Sequence, residues 1–205
     1  MLGFIKKDLF MLKSNFKLFI VIIVCLLFFM FNNDENNIET MMIFLPMLGT
    51  LMYLSTFSYD EFNNFNAYSC SFKNGKNNYV KGKYITSVIV FITLLLVSIV
   101  IALIMKNNIK DILFVCVESI LSLSLIVSLL FPFMLKYGAM NGRIIVFVFI
   151  MIISAFMYLL NKLISLDKIV NYLNNSSSVV LLLFSMLILF LSYLISNYIY
   201  KNKEF

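Results

Sequence analysis

The sequence predicts an all-α integral membrane protein with six transmembrane helices, an N-terminal amphipathic interfacial helix and a cytoplasmic helix between helices 2 and 3. Three observations carry that expectation: the composition, six uninterrupted apolar runs, and the uneven placement of basic residues. Of 205 residues, 62% are hydrophobic and 13% charged, and the mean hydropathy is +0.97. A soluble domain is about half apolar, with about one charged residue in four. One core of this length cannot hide the excess, so lipid must cover it. A β-barrel would need short alternating segments of about ten residues, whereas the runs here are continuous.

The runs lie at about 18–31, 41–57, 84–105, 112–135, 144–160 and 178–200. Each approaches the roughly 20 residues that a bilayer requires, and helix is the backbone solution for such runs in lipid. The first is short, but Lys17 extends it by snorkelling. Pro46 falls within the second run and Pro132 within the fourth. The chain reads as one transmembrane domain over 1–205, with no soluble domain beside it.

Orientation follows from charge. Twelve Lys and Arg residues fall in the N-terminal arm, the 2–3 loop, the 4–5 loop and the tail, against four in the remaining loops. The 1–2 loop, NNDENNIE, is purely acidic. By the positive-inside rule both termini are cytoplasmic, and an odd number of spans would break the alternation. The net charge of +6 therefore reads as topology and contact with anionic lipid, not nucleic acid. No signal-peptide cleavage site follows the first run, which reads as a retained helix. The bias toward Asn, Lys, Ile and Phe suggests an AT-rich bacterial genome and so a bacterial plasma membrane.

Catalytic arrangements are largely excluded. The chain has no His, which rules out Ser-His-Asp, Cys-His and H-E-x-x-H chemistry. Six residues separate Gly75 from Gly82, where a phosphate loop has four, and Tyr84 stands in place of the Mg²⁺-binding Ser/Thr. Cys25, Cys70 and Cys116 are scattered, and neither a disulfide nor a metal site is expected. The chain therefore reads as a non-enzyme without a cofactor of its own.

Two amphipathic stretches carry more information. In the arm, residues 1–17, the residues Leu2, Ile5, Leu9, Leu12 and Phe16 share one narrow helical stripe flanked by Lys6, Lys13 and Lys17. Such a helix lies in the headgroup region, as an anchor or as a coupling element. In the 2–3 loop, residues 58–83, the residues Phe62, Phe65, Tyr68 and Phe72 fall in one sector of a helical wheel. Lys73-Asn74-Gly75-Lys76 then reads as a turn before a second short helix. The aromatic face rests on the membrane or docks on a partner.

Together these stretches resemble the small bacterial ABC-2 type permeases, the membrane half of ATP-driven exporters. The arm FIKKDLFMLK, residues 4–13, is similar to that family's KKDL-containing arm. Tyr59-Asp60-Glu61, then Asn64, Tyr68 and Ser71, and finally Tyr79-Val80-Lys81-Gly82-Lys83-Tyr84 follow its pattern after the second helix. Ser71-Phe72 replaces the family's Leu-Pro step, so Asn74-Gly75 must supply the turn. The resemblance implies a separate ATP-binding subunit, with ATP and Mg on that partner, and a second permease subunit forming a homo- or heterodimer. It implies that the loop around 58–83 meets the ATP-binding subunit, with Asp60, Glu61, Tyr68, Lys81 and Lys83 as candidate contacts. Export of amphipathic peptides or other hydrophobic compounds is the implied activity.

Glu118 is the only carboxylate well inside a predicted span, about two turns from its outer end, and Ser122 lies one helical turn away. An intramembrane carboxylate marks a candidate translocation path, although Glu118 is also close enough to the outer end to reach the headgroups. Two other functions stay open: a non-transporting membrane scaffold, sensor or immunity protein that binds a peptide, and a proton-coupled transporter built on Glu118.

Overall fold

The computed structural model describes residues 1–14, 20, 37–104, 109–145, 147–148, 151 and 178–203. Helix α1 is Leu2–Ser14, α2 is Asn37–Tyr53, α3 is Ser55–Phe62, α4 is Phe65–Cys70, α5 is Gly75–Ile104, α6 is Ile109–Tyr137 and α7 is Ser178–Lys201. A further helical stretch, 139–145, follows α6. No strand occurs among the described residues.

Among the described residues, four segments are long and apolar enough to cross a membrane: Met42–Phe62, Gly75–Ile104, Ile112–Tyr137 and Val180–Lys201. They coincide with the second, third, fourth and sixth expected runs. The expected first run, 18–31, and most of the fifth, 144–160, lie outside the described residues.

Packing follows from which faces carry small or aromatic side chains. The most extensive contact is between α6 and α7, followed by α2 with α5 and α2 with α6. The main core holds Tyr53, Phe57, Tyr79, Tyr84, Phe91, Leu123, Val127, Phe131 and Tyr200. Outward faces are apolar as well: Leu183, Phe184, Leu187, Phe190, Leu191 and Leu194 of α7 are all exposed, as a lipid-facing surface requires. Serines within the spans are accommodated by their own helices. Ser98, Ser119, Ser124 and Ser185 each donate to the carbonyl three residues back. Tyr84 bridges instead between helices, with its hydroxyl 2.6 Å from Ser192 Oγ and 2.8 Å from Ser196 Oγ on α7.

The 2–3 connection departs from the single aromatic-faced helix expected from the sequence. Asn64 adopts a left-handed conformation, φ 51°, and divides α3 from α4, so Phe62 and Phe65 sit on different helices. Asparagine tolerates this region better than other side chains because its amide bonds locally. Asn74, φ 59°, makes the next turn. The second short helix expected after it is instead the beginning of α5, which runs unbroken for 30 residues.

Candidate functional site

Three stretches far apart in sequence meet at one end of the bundle. Helix α1 brings Lys7 and Asp8, α3 brings Asp60, and the first turns of α5 bring Lys83. Lys83 Nζ lies 2.7 Å from Asp60 Oδ2 and 3.2 Å from Asp8 Oδ1. Lys7 Nζ lies 3.2 Å from the same Asp8 oxygen and also pairs with Asp60. The four groups form a closed, alternating ring with no net charge. Asp60 is fully buried, Lys83 is 1% exposed, Asp8 2%, and Lys7 19%.

Charges at such depth persist only when paired and hydrogen-bonded. The surrounding side chains supply those bonds. Tyr53 donates to Asp8 Oδ2 at 2.9 Å, and Tyr79 donates to Asp60 Oδ2 at 2.8 Å. Lys83 donates to Thr56 Oγ1 at 2.9 Å, and Thr86 pairs with the Tyr53 hydroxyl. Aromatic faces complete the cage: Lys7 Nζ sits 3.8 Å from the Phe65 ring centre and Lys83 Nζ 4.6 Å from that of Phe57. Each carboxylate oxygen of Asp8 and Asp60 thus has at least one donor.

The helices can approach this closely because of local sequence. A side chain at Gly82 would stand 3.2 Å from Phe4 Cβ, so glycine there lets α1 lie against α5. Phe4 then packs edge-on against Phe65, Phe72 and Tyr79. On α3, Thr56, Phe57 and Asp60 share the buried face, a spacing that points one helical stripe inward.

A second seam runs along another face of α3. Glu61 accepts the Ala139 backbone N–H at 2.7 Å, and Arg143 donates to Leu54 O at 2.8 Å and Ser58 Oγ at 2.9 Å. Lys203 Nζ donates to Leu135 O at 2.7 Å. Burial pulls this ammonium below its usual pKa, and the Glu61 carboxylate opposes that pull. A cavity of about 690 Å³ opens beside the seam, lined by Ser58, Tyr59, Glu61, Phe62, Ala139 and Met140 among others.

The residues expected to contact a partner therefore divide. Asp60 and Lys83 are brought together inside the ring, and Glu61 joins the seam. Tyr68 is 58% exposed and Lys81 is exposed, so both face outward. Glu118 is half-buried on α6. Ser122 donates to Ser119 O of its own helix at 2.7 Å. Lys7, Asp8, Tyr53 and Arg143 were not singled out from the sequence as site residues, although a charged Lys-Asp pair within an apolar amphipathic arm is a signal in itself.

A family model described as ABC-2 family transporter protein matches residues 3–201. The chain belongs to this ABC-2 transporter family. It is thus a multi-pass membrane protein of the permease type, the membrane component of an ABC transporter, and the family implies an ATP-binding partner subunit. Comparison with curated proteins and with solved structures gave no match. The three stretches that resembled ABC-2 permeases in sequence, around Lys7-Asp8, Asp60 and Lys83, are those that build the ring.

Proposed function

We propose that this ABC-2 protein is the membrane-spanning subunit of an ATP-driven exporter in a bacterial plasma membrane, with both termini and residues 58–83 on the cytoplasmic side. A separate ATP-binding subunit energises it, and a second permease copy or relative completes the pathway. The observation that carries this reading is the buried ring Lys7–Asp8–Lys83–Asp60. It ties the arm, the 2–3 connection and the start of the third span into one unit, which is what a force applied from outside the membrane needs in order to reach a span. Packed elements joined in this way shift as units.

In this reading Tyr68 and Lys81, with exposed Tyr59 and Phe62, form the contact surface, while Asp60 and Lys83 hold that surface rigid from behind. The stripe of α1 bearing Leu2 and Leu9, both exposed, rests in the headgroup region beside Lys6 and Lys13. Amphipathic peptides or other hydrophobic compounds are the proposed cargo, and Glu118 with Ser122 the candidate point on its path.

Capture of the ATP-binding subunit by the tagged chain tests the proposal. Tyr68→Ala with Lys81→Glu and Phe62→Ala should reduce capture by about tenfold or more, since truncating a central aromatic anchor costs about 2 kcal/mol. Thermal stability of the permease should fall far less than in Asp60→Ala, because Phe62 and Lys81 face outward and Tyr68 gives up only its ring contacts with Phe65 and Phe72, worth about 0.5–1.5 kcal/mol each. Undiminished capture by this variant contradicts the proposed surface.

A further inference from the structure

Asp60 and Glu61 are neighbours on α3, yet they serve different faces, about 100° apart. The face of Asp60 meets α1 and α5 through the ring. The face of Glu61 meets the stretch 139–145, which leads out of α6. Leu54, Ser58 and Glu61, the three residues that bond to that stretch, are spaced four and three apart and so form one helical stripe. Each bond has a local reason. Ala139 opens a helix, where backbone N–H groups lack intrahelical partners, and the Glu61 carboxylate takes one of them. Leu54 lies at the junction of α2 and α3, and the planar Arg143 guanidinium spans its carbonyl and Ser58 with one nitrogen. Gly138, with φ +89°, presents no side chain where Glu61 Oε1 would lie only 2.6 Å away from one.

We infer that Glu61 and Arg143 are positioning residues for energy coupling. They key the 139–145 stretch to α3, so that one displacement of α3 is delivered both to α5 through the ring and to the chain beyond α6 through the seam. This inference rests on the proposed contact of an ATP-binding subunit with the surface that includes Tyr59 and Phe62 of α3. It adds a second output to that element: the 2–3 connection alone would move one side of the bundle, whereas the seam moves two.

Hydrogen–deuterium exchange of the assembled permease–ATPase complex, nucleotide-free and with ATP plus orthovanadate, reads this directly. In wild type, exchange in 55–62, 75–84 and 139–145 should change together. In Glu61→Ala with Arg143→Ala, the response of 139–145 should fall by about threefold or more while that of 75–84 persists. Glu61→Gln with Arg143→Lys should restore part of it, because the amide oxygen still accepts from Ala139. A second measurement does not depend on the alanine variant folding. With the native cysteines replaced, Ser55→Cys and Asn141→Cys, which line the same cavity, are joined by a flexible bismaleimide. If the two segments move as one, the tether leaves ATP hydrolysis and the exchange response intact. A tether that stops turnover while the ATP-binding subunit stays bound, or a 139–145 stretch unresponsive in an assembled wild-type complex, overturns the seam. Failure of any ATP-binding subunit to assemble overturns instead the reading on which it rests.

Discussion

At the scale of single residues, the ring is held by pairing that tolerates no vacancy. Removing one partner of a buried ion pair costs about 3–5 kcal/mol, because the remaining charge is left uncompensated. Asp60→Ala and Lys83→Ala should each lower the stability of the purified protein by that order, read as loss of thermal stability in mild detergent. Combined, they should cost less than their sum by about 0.5–3 kcal/mol, the mark of direct coupling. Gly138→Ala makes a different prediction. At φ +89° a side chain strains the backbone, and the new methyl group would also meet Glu61 Oε1 at 2.6 Å, so the variant should raise exchange at Ala139 at least as much as Glu61→Ala does and leave the ring intact. The resemblance to ABC-2 permeases marked Asp60 and Glu61 as candidate contacts. It could not show that their partners lie 53 and 78 residues away, at Lys7 and Ala139, because a one-dimensional pattern carries no information about such distances.

At the scale of elements, α1 shows how one helix serves two surfaces. Its apolar stripe was legible from the spacing of Leu2, Ile5, Leu9 and Leu12. The opposite demand, a face of Phe4, Lys7, Asp8 and Met11 turned toward the protein, was not, because hydrophobic periodicity registers a charged contact face as solvated. Gly82 makes that contact possible. Gly82→Leu should lift α1 from α5 and raise labelling of Lys7 by an amine-reactive reagent severalfold, whereas Gly3→Leu, which meets open space, should not. The 2–3 connection misled for a related reason. Phe62, Phe65, Tyr68 and Phe72 fit one wheel, but the left-handed Asn64 resets the phase between them. Local backbone preference at one residue outweighed the periodicity of four.

At the scale of the whole molecule, the apolar runs located the four candidate spans of the described residues, because length and hydropathy are the constraints a bilayer imposes. The ends were less legible. Helix α5 begins at Gly75, well before the apolar run at 84, since its first turns are buried against α1, α4 and α7 rather than in lipid. The same turns carry Tyr79 and Lys83, and that is how a membrane span comes to hold part of the ring. The molecule thus gathers its arm, its 2–3 connection, the stretch after α6 and its C-terminal Lys203 around α3, at a single end. The proposed exporter role, with an ATP-binding partner acting at that end, would account for the arrangement. The most direct test is purification of the tagged wild-type chain in mild detergent from its native host, followed by mass analysis and an ATP-hydrolysis assay of what accompanies it. The account predicts a stoichiometric ATP-binding subunit and vanadate-sensitive hydrolysis. A chain that purifies without any such subunit, under every gentle condition and at full stability, would contradict it.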